Sequence, residues 1–172
     1  IQPLRHILNT SGISNFPEGQ YDMVRLGIGL YGVSNDAEEQ KYLENVSTLK
    51  SVISQIRTVP AGDSVGYGRR FMAAKPTVVA TIPIGYADGI SRLWGNGSGY
   101  VTVNKQKAII LGSVCMDMLM VEVTGIDCSE GDDVIVFGES PTVIEIAEKT
   151  QTIPYEILTS ISQRVKRVFY RE

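Results

Sequence analysis

From Val46 onward, short apolar runs alternate with turn residues. The runs are SVISQIRTV (51–59), TVVATIPI (77–84), YVTVN (100–104), KAIILGSV (107–114), MLMVEVT (118–124), DVIVFG (133–138) and RVKRVFY (164–170). They are rich in Val and Ile and bounded by Gly, Pro, Asp and Asn, which is how strands are punctuated. Many short strands with turn signals between them predict a mainly β domain, a barrel or a sandwich. VNKQKA (103–108) reads as the hairpin turn joining two of them. Two helices interrupt the pattern near the end. One follows Ser140 as cap and Pro141 in its first turn; the other lies in TIPYEILTSIS (152–162), again with a hydroxyl residue and a proline at its start.

Residues 1–45 follow a different regime. YDMVRLGIGLYG (21–32) predicts one strand, and the polar, acidic SNDAEEQKYLEN (34–45) predicts a linker or a short exposed helix. A single strand ending in glycines cannot bury itself, so its neighbours are expected elsewhere. The chain also starts at Ile1 rather than Met, and the expectation is the remainder of a longer protein, with a boundary between 1–45 and 46–172. IQPLRHILNTS (1–11) does not have the form of a signal peptide, and no apolar run reaches the roughly 18–20 residues a membrane helix needs.

Composition narrows the class. The 172 residues are 43% hydrophobic and 20% charged, ordinary for a soluble globular protein. A net charge of −3 without a basic stripe argues against nucleic acid as a partner. The nearest approach to such a stripe, QRVKRVFYR (163–171), reads as a half-buried strand with a solvated face. Cys115 and Cys128 are expected as reduced thiols in the cytosol, since a full-sized core needs no disulfide staple. With His6 as the one histidine, no Cys–His zinc set can be assembled, and no metal is expected.

Two glycine-flanked stretches carry candidate chemistry. GIGLYG (27–32) fits G-x-G-x-x-G literally, but it runs into VSNDAEEQ without a helical apolar period, so a dinucleotide site is not expected. Its glycines still let backbone amides approach an anion, with Arg25 on the same strand face as Gly27; a tight strand exit beside a surface arginine fits the spacing as well. SVGYGRRF (64–71) sets Tyr67 between Gly66 and Gly68. A turn tyrosine and a phenol given clearance to approach a ligand both fit that pattern.

Taken in order, LNTSG (8–12), YDMVRLGIGLYG, SVGYGRRF, IPIGYADGISR (82–92), GSVCMDMLMVEV (112–123), GDDVIVFG (131–138) and TIPYEILTSISQRVKRVF (152–169) resemble the C-terminal part of the alanine racemases. The resemblance covers essentially the whole chain. It implies a C-terminal β-barrel-like domain over 46–172, preceded over 1–45 by the last strand of an α/β (TIM-type) barrel that binds pyridoxal 5'-phosphate. It also implies a cytoplasmic, pyridoxal-phosphate-dependent isomerase that interconverts L- and D-alanine and supplies D-alanine for peptidoglycan. Its sites would be shared between the two subunits of a homodimer.

Racemisation removes the α-proton from one face and returns one to the other, so two bases are needed. The resemblance makes Tyr67 one of them; the other is a Schiff-base lysine outside the match. An ordinary phenol, with a pKa of about 10, is about a thousandth ionised at neutral pH, so such a base needs activation by positive charge or hydrogen bonds. By the same resemblance Arg25 faces the cofactor's ring nitrogen, and His6 stands behind it, though a structural histidine describes His6 equally well. Thr10, where the family usually has serine, the amides of Gly27 and Ile28, and the Tyr155 hydroxyl would hold the phosphate. Tyr155 also reads as a helix-face tyrosine with its ring in the core. Met116 would meet the substrate carboxylate through its backbone amide, with Asp117 beside it, while Cys115 reads as packing. Tyr86, Asp88 and Arg92 would line the substrate's access corridor; otherwise they form a glycine-bounded turn with a local Asp–Arg pair.

The lysines, at 41, 50, 75, 105, 107, 149 and 166, lie in linkers, turns and strands rather than in a cofactor-lysine motif. The fragment is therefore expected to be inactive by itself. A serine or broad-specificity amino-acid racemase, a non-catalytic dimerisation module, and fusion to another cell-wall enzyme upstream remain open alternatives.

Overall fold

The structure is a computed structural model and describes residues 1–170. By contacts the chain divides into two compact units, Ile1–Ser47 and Thr48–Glu172.

In the first unit Asn9 caps helix α1 (Thr10–Asn15), its Oδ1 accepting the Gly12 amide at 3.0 Å. The expected strand over 21–32 does not form. Two backbone bonds, Asp22 N–H to Arg5 O and Arg25 N–H to Leu8 O, hold this stretch beside residues 5–8. A strand needs a continuing ladder on at least one side, and here the ladder stops. Tyr21 starts the stretch at φ 45°, and Ile28–Tyr31 winds into a 3₁₀ turn closed by Gly32 at φ 74°. A side chain at position 32 would strike the Glu44 carbonyl, so this exit requires glycine. The acidic segment forms one short helix, α2 (Ala37–Gln40), capped by Asp36 through the amides of Glu38 and Glu39.

The second unit is built on strands β1 (Leu49–Val52), β2 (Gln55–Val59), β5 (Thr77–Ile82), β6 (Tyr100–Val103), β7 (Gln106–Leu111), β8 (Leu119–Glu122) and β9 (Asp133–Phe137). They form one antiparallel sheet in the order β1-β9-β6-β7-β8-β5-β2. The expected single strand over 51–59 is thus two strands at opposite ends of the sheet. The switch falls at Ile53–Ser54. Ile53 N–H donates to Asp132 O beside β9, and Ser54 N–H donates to Thr81 O on β5. Ile53 is buried at this corner, and the sheet curls around a core that includes Val79, Ile82, Val101, Ile110, Leu119 and Val121. Apolar content alone cannot mark such a corner, because the residues on both sides suit a strand equally.

VNKQKA makes the hairpin as expected: Val103 pairs with Gln106 across Asn104 and Lys105, both at positive φ. A second, very short hairpin, β3 (Ser64–Val65) with β4 (Phe71–Met72), is too brief to leave a pattern in the sequence. Helix α3 (Val143–Lys149) starts later than expected. Thr142, not Ser140, is its cap, accepting the Glu145 amide at 3.1 Å. Ser140 instead offers its carbonyl to Thr102 and its hydroxyl to Tyr100. Helix α4 (Pro154–Ser160) opens on its proline as expected, with Ile153 rather than a hydroxyl residue at the cap.

The strand expected over 164–170 is absent; the last residue of the longer reading, 163–171, lies outside the described residues. Arg167 donates its guanidinium to the carbonyls of Ile161, Ser162 and Val165, which curls the backbone and occupies acceptors a ladder would use. Val168, Phe169 and Tyr170 are exposed. Both cysteines are free, and burial together with Asp132 and Asp127 pushes the Cys128 thiol up. Among the described residues, no helix is long and apolar enough to cross a membrane.

Candidate active site

Tyr67 sits at the tip of the β3–β4 hairpin. Gly66 and Gly68 on either side have φ 75° and 72°, a region open mainly to glycine. A Cβ on residue 66 would come within 2.9 Å of Met120 Cε, so the missing side chain also lets the loop lie on the core. That core, formed by Val59, Val65, Ala73, Val79, Leu111, Cys115 and Met120 with Phe71 packed against it, anchors both ends of the hairpin. The Tyr67 side chain itself stands out, 78% exposed, over an open groove of about 500 Å³. Arg57, Cys115, Met118 and Met120 share the lining of that groove. Cys115 is buried packing there, as its sequence context suggests. Sequence reading missed Arg57; its only mark is a cation in an otherwise unremarkable strand.

The loop after β7 approaches the same groove. Cys115 N–H donates to Met118 O, which turns the backbone and leaves Met116 at its apex, 54% exposed. Among the described residues, the Met116 amide has no hydrogen-bond acceptor. The loop is stitched to the next turn by Tyr86 N–H to Cys115 O (2.9 Å) and Ala87 N–H to Met116 O (3.0 Å). Gly85 permits this contact, since a Cβ there would lie 2.3 Å from the Cys115 carbonyl oxygen.

Tyr86 and Asp88 belong to that turn, a 3₁₀ segment over Tyr86–Asp88 in which Tyr86 is partly exposed. The Asp–Arg pair expected locally with Arg92 is not the one formed. Arg92 is exposed in a separate turn, and Asp88 pairs with Arg164, Nε to Oδ1 at 2.7 Å. The other Asp88 oxygen accepts the Gly85 amide at 2.8 Å. The Arg164 hydrogen bond, aided by the Gly85 amide, holds the Asp88 carboxyl below the usual carboxylate range despite burial. Arg164 Nη2 also reaches Asp117 Oδ1 at 2.6 Å, so the Asp117 carboxylate is engaged by a cation of its own domain. Arg164 left no signal in the sequence, because its partners are remote positions.

In the first unit, Thr10, Gly27 and Ile28 come together. Thr10 is buried, and its Oγ1 accepts the Gly27 amide at 2.8 Å and, at longer range, that of Gly29. With its oxygen accepting, the hydroxyl keeps its own proton to donate. The Gly27 amide is thus committed to Thr10, whereas the Ile28 amide has no acceptor among the described residues. A Cβ on Gly27 would fall 3.6 Å from Thr10 Oγ1, an ordinary contact. Arg25 is held at both ends by one neighbouring segment, its amide on Leu8 O and its Nη2 on Ile7 O at 2.9 Å. His6 is exposed and makes no side-chain hydrogen bond among the described residues. Tyr155, in the second unit, lies on α4; it is 37% exposed, and its hydroxyl makes no hydrogen bond among the described residues.

Residues 46–169 match a family profile described as the alanine racemase C-terminal domain. Alanine racemase 2 of Caldanaerobacter subterraneus subsp. tengcongensis is 42% identical over 96% of this chain, which covers 44% of that protein. The alanine racemase of Carboxydothermus hydrogenoformans is also 42% identical, over 96% of this chain and 47% of its own length. Among solved structures, alanine racemase from Streptomyces coelicolor superposes with a TM-score of 0.92 at 34% identity, covering all of this chain and 47% of that one. Alanine racemase from Bartonella henselae, described with covalently bound pyridoxal phosphate, gives 0.87 at 37% identity over 95% of this chain and 46% of that one. The chain belongs to the alanine racemase family. It spans less than half the length of these relatives.

Proposed function

We propose that the protein carrying this chain racemises alanine with pyridoxal 5'-phosphate, by a two-base transfer of the α-proton in which Tyr67 Oη is one of the bases. The observation that carries the reading is the exposed Tyr67 phenol over an open groove, with the acceptor-free Met116 amide on the loop that borders it. Family membership and the Bartonella henselae relative support the cofactor.

The residues of the first unit fit the cofactor's phosphate and ring. Thr10 Oγ1 has a proton to donate and the Ile28 amide has no acceptor, so both suit a phosphate oxygen. Gly27 acts through Thr10, by fixing the direction of its hydroxyl. The Tyr155 hydroxyl, which makes no hydrogen bond among the described residues, would be free to donate to a phosphate. Arg25, held at both ends, would face the ring nitrogen; a guanidinium keeps its proton, so it donates a hydrogen bond without protonating the ring. His6, exposed and next to Ile7, whose carbonyl accepts from Arg25, would orient Arg25 from behind.

When bound, the cofactor withdraws the electron pair that remains as the α-proton leaves. Tyr67 Oη takes that proton on one face, or delivers it on the return. The Met116 N–H holds the substrate carboxylate, which fixes the face presented. Tyr86, Asp88 and Arg92 border the route by which the amino acid arrives. In a homodimer whose subunits share their sites, Tyr67 and Met116 would serve the cofactor held by the other subunit's Thr10, Arg25 and Tyr155. The product, D-alanine, would go to peptidoglycan from the cytoplasm.

The test uses the full-length protein with alanine and serine as competing substrates. Alanine racemisation in deuterated water should place deuterium in the product while unreacted substrate keeps its protium, the mark of two separate bases. Tyr67→Phe should lower kcat about 10²- to 10⁴-fold with cofactor absorbance retained. Full activity in Tyr67→Phe would overturn the role of Tyr67, and a preference for serine would move the substrate. The 172-residue chain alone should show neither turnover nor the absorbance of a covalently held cofactor.

A further inference from the structure

We propose that Arg164 is a positioning residue that sets the Met116 amide for the substrate carboxylate, by clasping Asp88 and Asp117 at once. The inference rests on the reading of that amide as the carboxylate donor.

The geometry carries it. Met116 is 54% exposed at the apex of a loop, so burial of its side chain does little to fix its backbone. What holds the apex is indirect. On one side its carbonyl is tied to the 85–88 turn by the Ala87 amide. On the other, Asp117, the next residue, is tied to Arg164 at 2.6 Å. Arg164 is in turn tied at 2.7 Å to Asp88, whose second oxygen closes the same turn through the Gly85 amide. The ring of contacts therefore runs Met116, Asp117, Arg164, Asp88, turn, Met116, and the amide direction depends on every link. The backbone supports Arg164 from behind, since Ser162 N–H donates to Asp88 O at 3.0 Å and Ser160 Oγ to Gly89 O.

The clasp has a second consequence. An unpaired Asp117 carboxylate next to the Met116 amide would repel an incoming carboxylate. Arg164, which Asp88 also shares, offsets part of that charge and turns the carboxylate toward itself where the substrate's own charge must sit. A guanidinium suits the task because its planar fork reaches two carboxylates in fixed directions, whereas an ammonium is a point charge.

The test compares Arg164→Gln, Arg164→Lys, Asp117→Asn and Tyr67→Phe in the full-length enzyme, reading KM and kcat for alanine separately. Arg164→Gln should raise KM about ten- to a hundredfold with kcat nearly kept, as expected when a binding group is misplaced. Arg164→Lys should recover part of the loss. The Arg164→Gln/Asp117→Asn double variant should be no worse than Arg164→Gln, because both break one ring. Tyr67→Phe should show the opposite split, a loss in kcat. If Arg164→Gln leaves KM unchanged, or lowers kcat alone, the proposal is overturned. Should Arg164→Gln fail to fold, Asp117→Asn, which keeps the Asp88 pair, decides by its own KM. A wild-type enzyme that does not racemise alanine would overturn the functional reading itself, a result distinct from an unchanged KM in an active enzyme.

Discussion

The Thr10 methyl lies where a side chain on residue 29 would begin: a Cβ at Gly29 would sit 3.0 Å from Thr10 Cγ2. The extra methyl of a threonine at position 10 is thus accommodated by a glycine nineteen positions on, which also lies within reach of the Thr10 hydroxyl. Gly29→Ala should cost about 1–3 kcal/mol through overpacking. Adding Thr10→Ser should recover part of it, with thermal unfolding of the single and double variants as the measure; strict additivity would refute the coupling. Residues of this kind divide by how far apart their partners are. The turn that carries Tyr67 is legible because its glycines are its neighbours in sequence, but that pattern fits a plain turn tyrosine equally, and the proposed role came from the family resemblance. The Asp88–Arg164 pair was not, because 76 positions separate the two and no local pattern records the contact. The guess of Arg92 as partner came from proximity along the chain alone. The role proposed for Met116 lies in its backbone amide, which side-chain patterning does not report.

Among the elements, the hairpin at Asn104–Lys105 was the most readable and is still imperfect. Lys105 holds φ 64°, a conformation in which a side chain is strained and glycine is not. Lys105→Gly should therefore stabilise the protein by about 0.5–1 kcal/mol and raise Tm by a few degrees; a lower Tm would show that the lysine side chain contributes more than its backbone costs. Strands flanked by turns were found wherever one run of apolar residues made one strand. The failures have physical causes. Residues 51–59 read as one unbroken strand, with no Gly or Pro to mark a turn, yet the hydrogen-bond partners change from β9 to β5 at Ile53–Ser54. Residues 164–170 alternate basic with apolar, yet Arg167 bonds the carbonyls behind it. Residues 21–32 lack the continuing ladder that would make them a strand. Pattern gives an element's preference, and the ladder depends on neighbours the pattern does not contain.

For the molecule as a whole, acid is the informative stress. The Arg164 bond holds the Asp88 carboxyl low, so the folded state binds this proton less readily than the unfolded chain does. An unfolded aspartate titrates near pH 3.9, so the stability this pair contributes is complete above about pH 4 and is lost as pH falls through the lower folded value. Asp88→Asn should be less stable than wild type at neutral pH, and the gap should narrow on acidification below about pH 4. Equal loss in both proteins would remove Asp88 from the account. Asp22, held low by the Arg5 amide and guanidinium, titrates in the same direction but in the first unit, so the Asp88 variant isolates the second. A probe that sees one unit is needed for that comparison, and the chain contains one. Its single tryptophan, Trp94, is 1% exposed, lies beside the Tyr100 ring with centroids 6.0 Å apart, and keeps its indole N–H free of any hydrogen bond among the described residues. An indole so dry emits at short wavelength. Its emission should redden when the domain from Thr48 onward opens, while Ile1–Ser47, which has tyrosines but no tryptophan, adds nothing to that band.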